Sequence, residues 1–145
     1  MYADLFTSTV SPDTPKHEEV TYNSVHCDLL CNANKIKVGG SYKLITAAFF
    51  DESTNDITEK YIPYLSLTTW SCFIRENELS NPDDDVDITN SNLVTWLEQK
   101  ESNKIKIKFA DNKEYLTKVL VVKCSVNKDG RKIVGEIQLQ ISSVL

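Results

Sequence analysis

Histidine, glycine and long apolar runs are what this sequence is short of, and each shortage removes a class of function. It holds two histidines, His17 and His26, and four glycines in 145 residues. Acyl-transfer chemistry needs a nucleophile beside a base. His17 falls in a polar leader and His26 in the first strand region, with no Gly-x-Ser-x-Gly turn anywhere, so the pattern assembles no triad. The glycines form neither a Walker A loop nor a dinucleotide fingerprint, which removes the common phosphate cofactors. The longest apolar run, allowing one threonine, is Leu44 to Phe50, whereas spanning a bilayer takes about 20 residues; no membrane association is expected. Basic residues are also outnumbered, 16 against 21 acidic, for a net charge of −5. Such a chain is repelled by a phosphate backbone, so nucleic acid is not an expected partner. The opening residues Met1-Tyr2-Ala3-Asp4-Leu5-Phe6 carry an acid where a secretory signal has basic residues, and the expectation is that the chain stays in the cytoplasm where it is made.

What is there suits one soluble globular domain and an arm. Hydrophobic residues make up 41% and charged residues 26%, neither the apolar poverty of disorder nor the excess of a membrane protein. Residues 1–24 show no sustained apolar alternation and are expected to be an N-terminal arm; fully extended, they reach on the order of 80 Å, enough to lie across a neighbouring subunit. Residues 25–145 change character. Short β-branched and aromatic runs recur between polar turns every ten to fifteen residues, the rhythm of an all-β sandwich.

The strands are expected as follows. A first runs from His26 to Cys31, and Lys35 to Val38 makes a short second piece before the Gly39-Gly40 turn. In Tyr42 to Phe50, Ile45, Ala47 and Phe49 are expected to face inward, and the polar Asp51–Asp56 segment is expected to be an exposed loop. Tyr61 to Ile74 is read as another strand region, with Pro63 near its start and Trp70 as its anchor. Lys104-Ile105-Lys106-Ile107-Lys108-Phe109 alternates at period two, placing three lysines on a wet face and three apolar groups on a dry one. In Val119 to Val126, Leu120, Val122, Cys124 and Val126 point inward. Asp129-Gly130 is the strongest hairpin signal in the chain, and Ile133, Gly135, Ile137, Leu139 and Ile141 then alternate along the last strand. Asn92 to Lys100 suits a short helix or a strand about equally and is taken as a strand.

Taken together, Ile36-Lys37-Val38-Gly39-Gly40-Ser41-Tyr42-Lys43, Ala47-Ala48-Phe49-Phe50-Asp51, Thr69-Trp70, Asn103-Lys104-Ile105-Lys106-Ile107 and Lys118-Val119-Leu120 resemble the immunoglobulin-like (Ig-like) domains appended to bacteriophage tail and neck proteins. The resemblance covers residues 25–145 and implies an immunoglobulin-like β-sandwich of about seven strands. It departs from antibody domains in lacking a cysteine on the Ile45–Ala47 strand opposite Cys124, so a hydrophobic core is expected to hold the sheets without that bridge. Tyr115 is either a tyrosine corner, at non-standard spacing, or a plain packing residue.

The resemblance implies a non-enzymatic structural component of a virion, on the tail, neck or capsid, made in the host cytoplasm. Its partners would be other virion structural proteins in a symmetric assembly, where repetition makes weak contacts durable. The loops near Asp51–Asp56 and Pro82–Asp87 would be available for a host-surface contact. The alternative is a cell-surface or carbohydrate-binding module, for which Tyr61 and Tyr64 are the candidate stacking aromatics.

No catalytic, cofactor-binding or metal residue is assigned. His26 and Cys27 are adjacent on a strand and point to opposite faces. Cys27, Cys31, Cys72 and Cys124 lack the second tight pair of a structural zinc site, and a reducing cytoplasm favours free thiols. Cys27 and Cys31 are about 13 Å apart in an extended strand, too far to bridge. Asp83, Asp85 and Asp87 resemble the start of a calcium loop, but Ile88 and Val94 stand where that loop needs glycine and glutamate; a solvated loop is expected. The Lys104, Lys106, Lys108 row protects a wet sheet face or meets an acidic neighbouring subunit.

Overall fold

A computed structural model describes residues 24–143. The arm expected over residues 1–24 therefore lies, except for Ser24, outside the described residues. The rest is an all-β sandwich of two sheets, as the strand rhythm predicts.

One sheet has four strands in the order β1 (Val25–Leu30), β3 (Lys43–Asp51), β7 (Lys104–Phe109) and β6 (Val94–Glu98). The other has five, in the order β2 (Lys35–Lys37), β9 (Arg131–Ser142), β8 (Val119–Lys128), β4 (Trp70–Arg75) and β5 (Val86–Asp87). The two shortest strands, β2 and β5, form the edges of the second sheet, which leaves seven longer strands as the body of the sandwich. All neighbours are antiparallel except β2, which runs parallel to β9. The chain thus enters through one sheet in β1 and crosses at once to the other in β2.

Alternation decides which side chains meet between the layers. Ile105, Ile107 and Phe109 of β7 are buried while the lysines between them face out. Ile45, Ala47 and Phe49 of β3 are fully enclosed, and so are Leu120, Val122 and Cys124 of β8. Trp70 opens β4 opposite Cys124 and is 2% exposed. Burying a side chain of this size removes 150–250 Å² from water, at roughly 25 cal/mol per Å². Val119 and Val121 are buried as well, on the other face of β8. There Phe73 lies beside Val121, and Lys123 extends its ammonium over the Phe73 ring at 4.8 Å.

The β8–β9 hairpin closes at Asp129-Gly130, both with positive φ (55° and 77°). This is the two-residue geometry whose twist matches the flanking strands. The segment Asn92 to Lys100 contains β6, and its Trp96 indole N–H donates to the Thr89 carbonyl at 3.0 Å. Thr89 in turn bonds the Cys72 backbone in β4, so this threonine ties the two sheets along one side.

One element differs from expectation. Tyr61 to Thr69 is not strand: a single α-helical turn, α1 (Thr58–Tyr61), is followed by 3-10 turns at Ile62–Tyr64 and Leu67–Thr69, and pairing starts only at Trp70. Pro63 sits in the first of these turns, where it has no ladder bond to lose. Ser66 and Thr69 close a reciprocal cap on the second.

Candidate functional site

The outer face of the four-stranded sheet collects the most chemistry that faces solvent. Its centre is Lys106 of β7, paired with Leu44 of β3 on one side and with Leu97 of β6 on the other. These leucines are 41% and 44% exposed, and Lys106 has no carboxylate partner among the described residues. On either side of it, Lys104 reaches Glu101 at 3.5 Å and Lys108 lies over the Tyr42 ring at 5.6 Å. Leu30, more than half exposed, extends the apolar surface on β1. The lysine row is therefore a wet face, as its alternation predicts, with apolar side chains set among the cations. Sequence reasoning missed that second component, because Leu44 and Leu97 belong to separate strands whose register brings them beside Lys106.

An open groove of about 510 Å³ adjoins this face, lined by Gly39, Tyr42, Thr95, Lys108 and Asp111 among others. A smaller depression of about 50 Å³ lies beside Trp70 between Ser66, Ser102 and Ile105, well below the roughly 300 Å³ of ordinary ligand pockets.

The other residues singled out by sequence fall apart in space. His26 faces solvent, 3.4 Å from Asp28 and against the Phe50 ring, while Cys27 is buried. Tyr61 and Tyr64 do not form an exposed stacking pair. Tyr61 is buried, with its ring parallel to Phe49 at 4.5 Å, and only Tyr64 is open to solvent. Tyr115 is a half-buried packing residue set edge-on against Phe109.

The aspartate run is only partly the solvated loop that was expected. Asp83 and Asp84 are exposed, but Asp85 turns in to Arg75 of β4, with Nε to Oδ1 at 2.8 Å and Nη2 to Oδ2 at 2.7 Å. Both side chains are about 5% exposed or less, and Glu136 adds a contact to Arg75 at 3.6 Å. The bond to Asp85 holds the guanidinium proton more tightly, against the opposing effect of burial. Asp87 accepts from the Thr89 backbone N–H at 2.9 Å, and hydrogen bonds from Thr89 keep its carboxyl below the ordinary value. The Asp51–Asp56 loop is exposed and organised by its own carboxylates. Asp51 accepts from Ser53 and Asn55, and Asp56 from Thr58, whose hydroxyl and amide lower the Asp56 carboxyl. Among the described residues, no three His, Cys, Asp or Glu side chains converge as a metal ion would require.

The cysteines are all free. The strand carrying Ile45 and Ala47 has none, as the sequence shows, yet Cys124 does face a thiol across the core. That thiol is Cys27 of β1, whose sulfur lies against Gly135, the residue paired with Cys124 across the β8–β9 ladder.

No protein-family model matches this chain, and no curated protein sequence matches it significantly.

Proposed function

We propose that this chain is a non-enzymatic structural component of a bacteriophage particle, on its tail, neck or capsid, that works through protein–protein contacts in a symmetric assembly. The observation that carries the assembly role is the outer face of the four-stranded sheet, where Lys106, with no carboxylate partner among the described residues, stands between two exposed leucines. Such a mixture suits a partner surface with apolar centres and acidic rims. The strand order β1-β3-β7-β6 against β2-β9-β8-β4-β5 supports an Ig-like reading: the first, second, fifth and fourth long strands form one sheet, and the third, sixth and seventh the core of the other. A buried tryptophan on the third long strand supports it too. The virion setting rests on the sequence resemblance to phage Ig-like domains.

The test is proteomics of purified particles combined with lysine cross-linking. The chain is expected in the particles, with cross-links from Lys104, Lys106 or Lys108 to another structural protein, and Lys106→Glu is expected to lower its incorporation several-fold. Absence from particles would overturn the reading.

A carbohydrate-binding reading has one feature in its favour, the 37% exposed Tyr42 ring at the mouth of the groove with Thr95, Lys108 and Asp111. Selective glycan-array binding lost in Tyr42→Ala would favour it over assembly.

A further inference from the structure

We propose that Cys27 and Cys124 are a latent covalent link between the two sheets, a site of oxidative modification that hydrogen peroxide closes to a disulfide. The inference stands apart from the assembly role and does not depend on it.

The geometry begins at Gly135. Cys124 of β8 and Gly135 of β9 are directly opposed in the antiparallel ladder, which sets their Cα atoms about 5 Å apart. A methyl group on Gly135 would stand 2.6 Å from the Cys27 Sγ and 2.9 Å from the Cys27 carbonyl oxygen. The missing side chain is thus the space that the Cys27 sulfur fills, and β1 lies close along β9 because that space is open. Placed there, the Cys27 sulfur is beside the cross-strand neighbour of Gly135, which is Cys124, and each thiol shifts the other's titration. Both are buried, Cys124 completely and Cys27 at 7% exposure.

The two thiols are shifted in opposite directions. The neighbouring Cys124 and burial raise the Cys27 thiol, and the charge of Asp28 acts the same way. Cys124 is lowered by the neighbouring Cys27 and, against its own burial, further by Thr69. Closing the bond brings the sulfurs to about 2.05 Å.

The chemistry balances with peroxide, which is small and uncharged enough to enter a packed core. One thiol attacks the O–O bond, giving a sulfenic acid and one water. The second thiol then displaces the sulfenic oxygen, which leaves with the remaining proton as a second water. Two thiols and one hydrogen peroxide become one disulfide and two waters. The link closes a loop that takes in most of the chain, the situation in which a disulfide restricts the unfolded state most.

The experiment uses the full reduced chain, treated with hydrogen peroxide, then denatured, alkylated, digested and mapped by mass spectrometry. The peptides carrying Cys27 and Cys124 are expected to be joined with loss of two hydrogens. Tm is expected to rise on the order of 10 °C and to fall back with dithiothreitol. Cys27→Ser is expected to abolish both effects and Cys31→Ser neither, while Gly135→Ala, which displaces the Cys27 sulfur, slows closure several-fold. Recovery of Cys27 and Cys124 as alkylated thiols while Cys31 is oxidised would overturn the proposal, and so would a bridge from Cys124 to Cys72.

Discussion

At the scale of single residues, the side chains that matter most here are those whose partners come from other elements of the fold. Arg75 and Asp85 form a bidentate pair in which both are nearly sealed from water. Removing one member leaves the other desolvated without its fork. Asp85→Ala is therefore expected to lower unfolding free energy by about 2 kcal/mol, and Asp85→Asn by less, as read from urea denaturation midpoints. A second case is Asn103, a buried polar residue whose side-chain amide donates to the Ala47 carbonyl at 3.1 Å while its own carbonyl accepts from the Ala47 N–H at 2.8 Å. Asn103→Ala is expected to cost about 1–2 kcal/mol, measured the same way. Neither pairing was legible in the sequence. Alternation tells whether a residue points in or out, as it did for Cys124. It does not tell which inward residue of one sheet meets which of the other, nor that one aspartate of a polar run folds back onto an arginine of the preceding strand.

At the scale of elements, legibility followed the length of the pattern. β7, β8 and β9 alternate for six residues or more, long enough that only a strand accounts for them, and their inward residues are those the sequence predicts. Tyr61 to Thr69 has similar apolar content, but it is divided among turns of three or four residues, too short for any period to register. Its informative signals were chemical: Pro63, and the Ser66–Thr69 spacing of a reciprocal cap. The hairpin was the most legible element because Asp129-Gly130 carries its own backbone requirement. At Gly130 φ is 77°, and an added methyl would meet nothing within 4 Å, so Gly130→Ala isolates backbone strain from packing. The expected loss is about 1 kcal/mol, seen as a small fall in Tm with an unchanged denaturant slope. The wet face of β7 was legible too. The leucines beside it were not, because strand register is a property of the folded sheet.

At the scale of the whole molecule, the acidic balance sets how stability responds to pH. Asp56 and Asp87 are held below the ordinary carboxylate value by hydrogen bonds from Thr58 and Thr89. Their folded pKa values are thus lower than their unfolded ones, and the unfolded chain takes up protons first as pH falls. Their contribution is fully present above about pH 4 and is lost as pH drops through the folded values. Urea midpoints are expected to be flat from neutrality to about pH 5 and to decline below about pH 4. The decline should be shallower in Asp87→Asn, whose side chain no longer titrates. A midpoint that rises on acidification would contradict this account. The two-layer architecture itself was legible from the number and spacing of short runs, because only facing sheets bury so many of them at once.

The early crossing from β1 to β2 has a mechanical consequence. β1 is laced to β3 and β2 runs parallel to β9, with Lys35, Ile36 and Lys37 beside Gln140, Ile141 and Ser142. Tension applied between Ser24 and Ser143 would drag β2 and β9 past each other in opposite directions. Their rungs, with the Val38 amide donating to the Ser142 carbonyl and the Gln140 amide to the Asn34 carbonyl, would then bear the force side by side. A tether fastened at either end would find a fold that resists as a sheared joint, not one that opens like a zip.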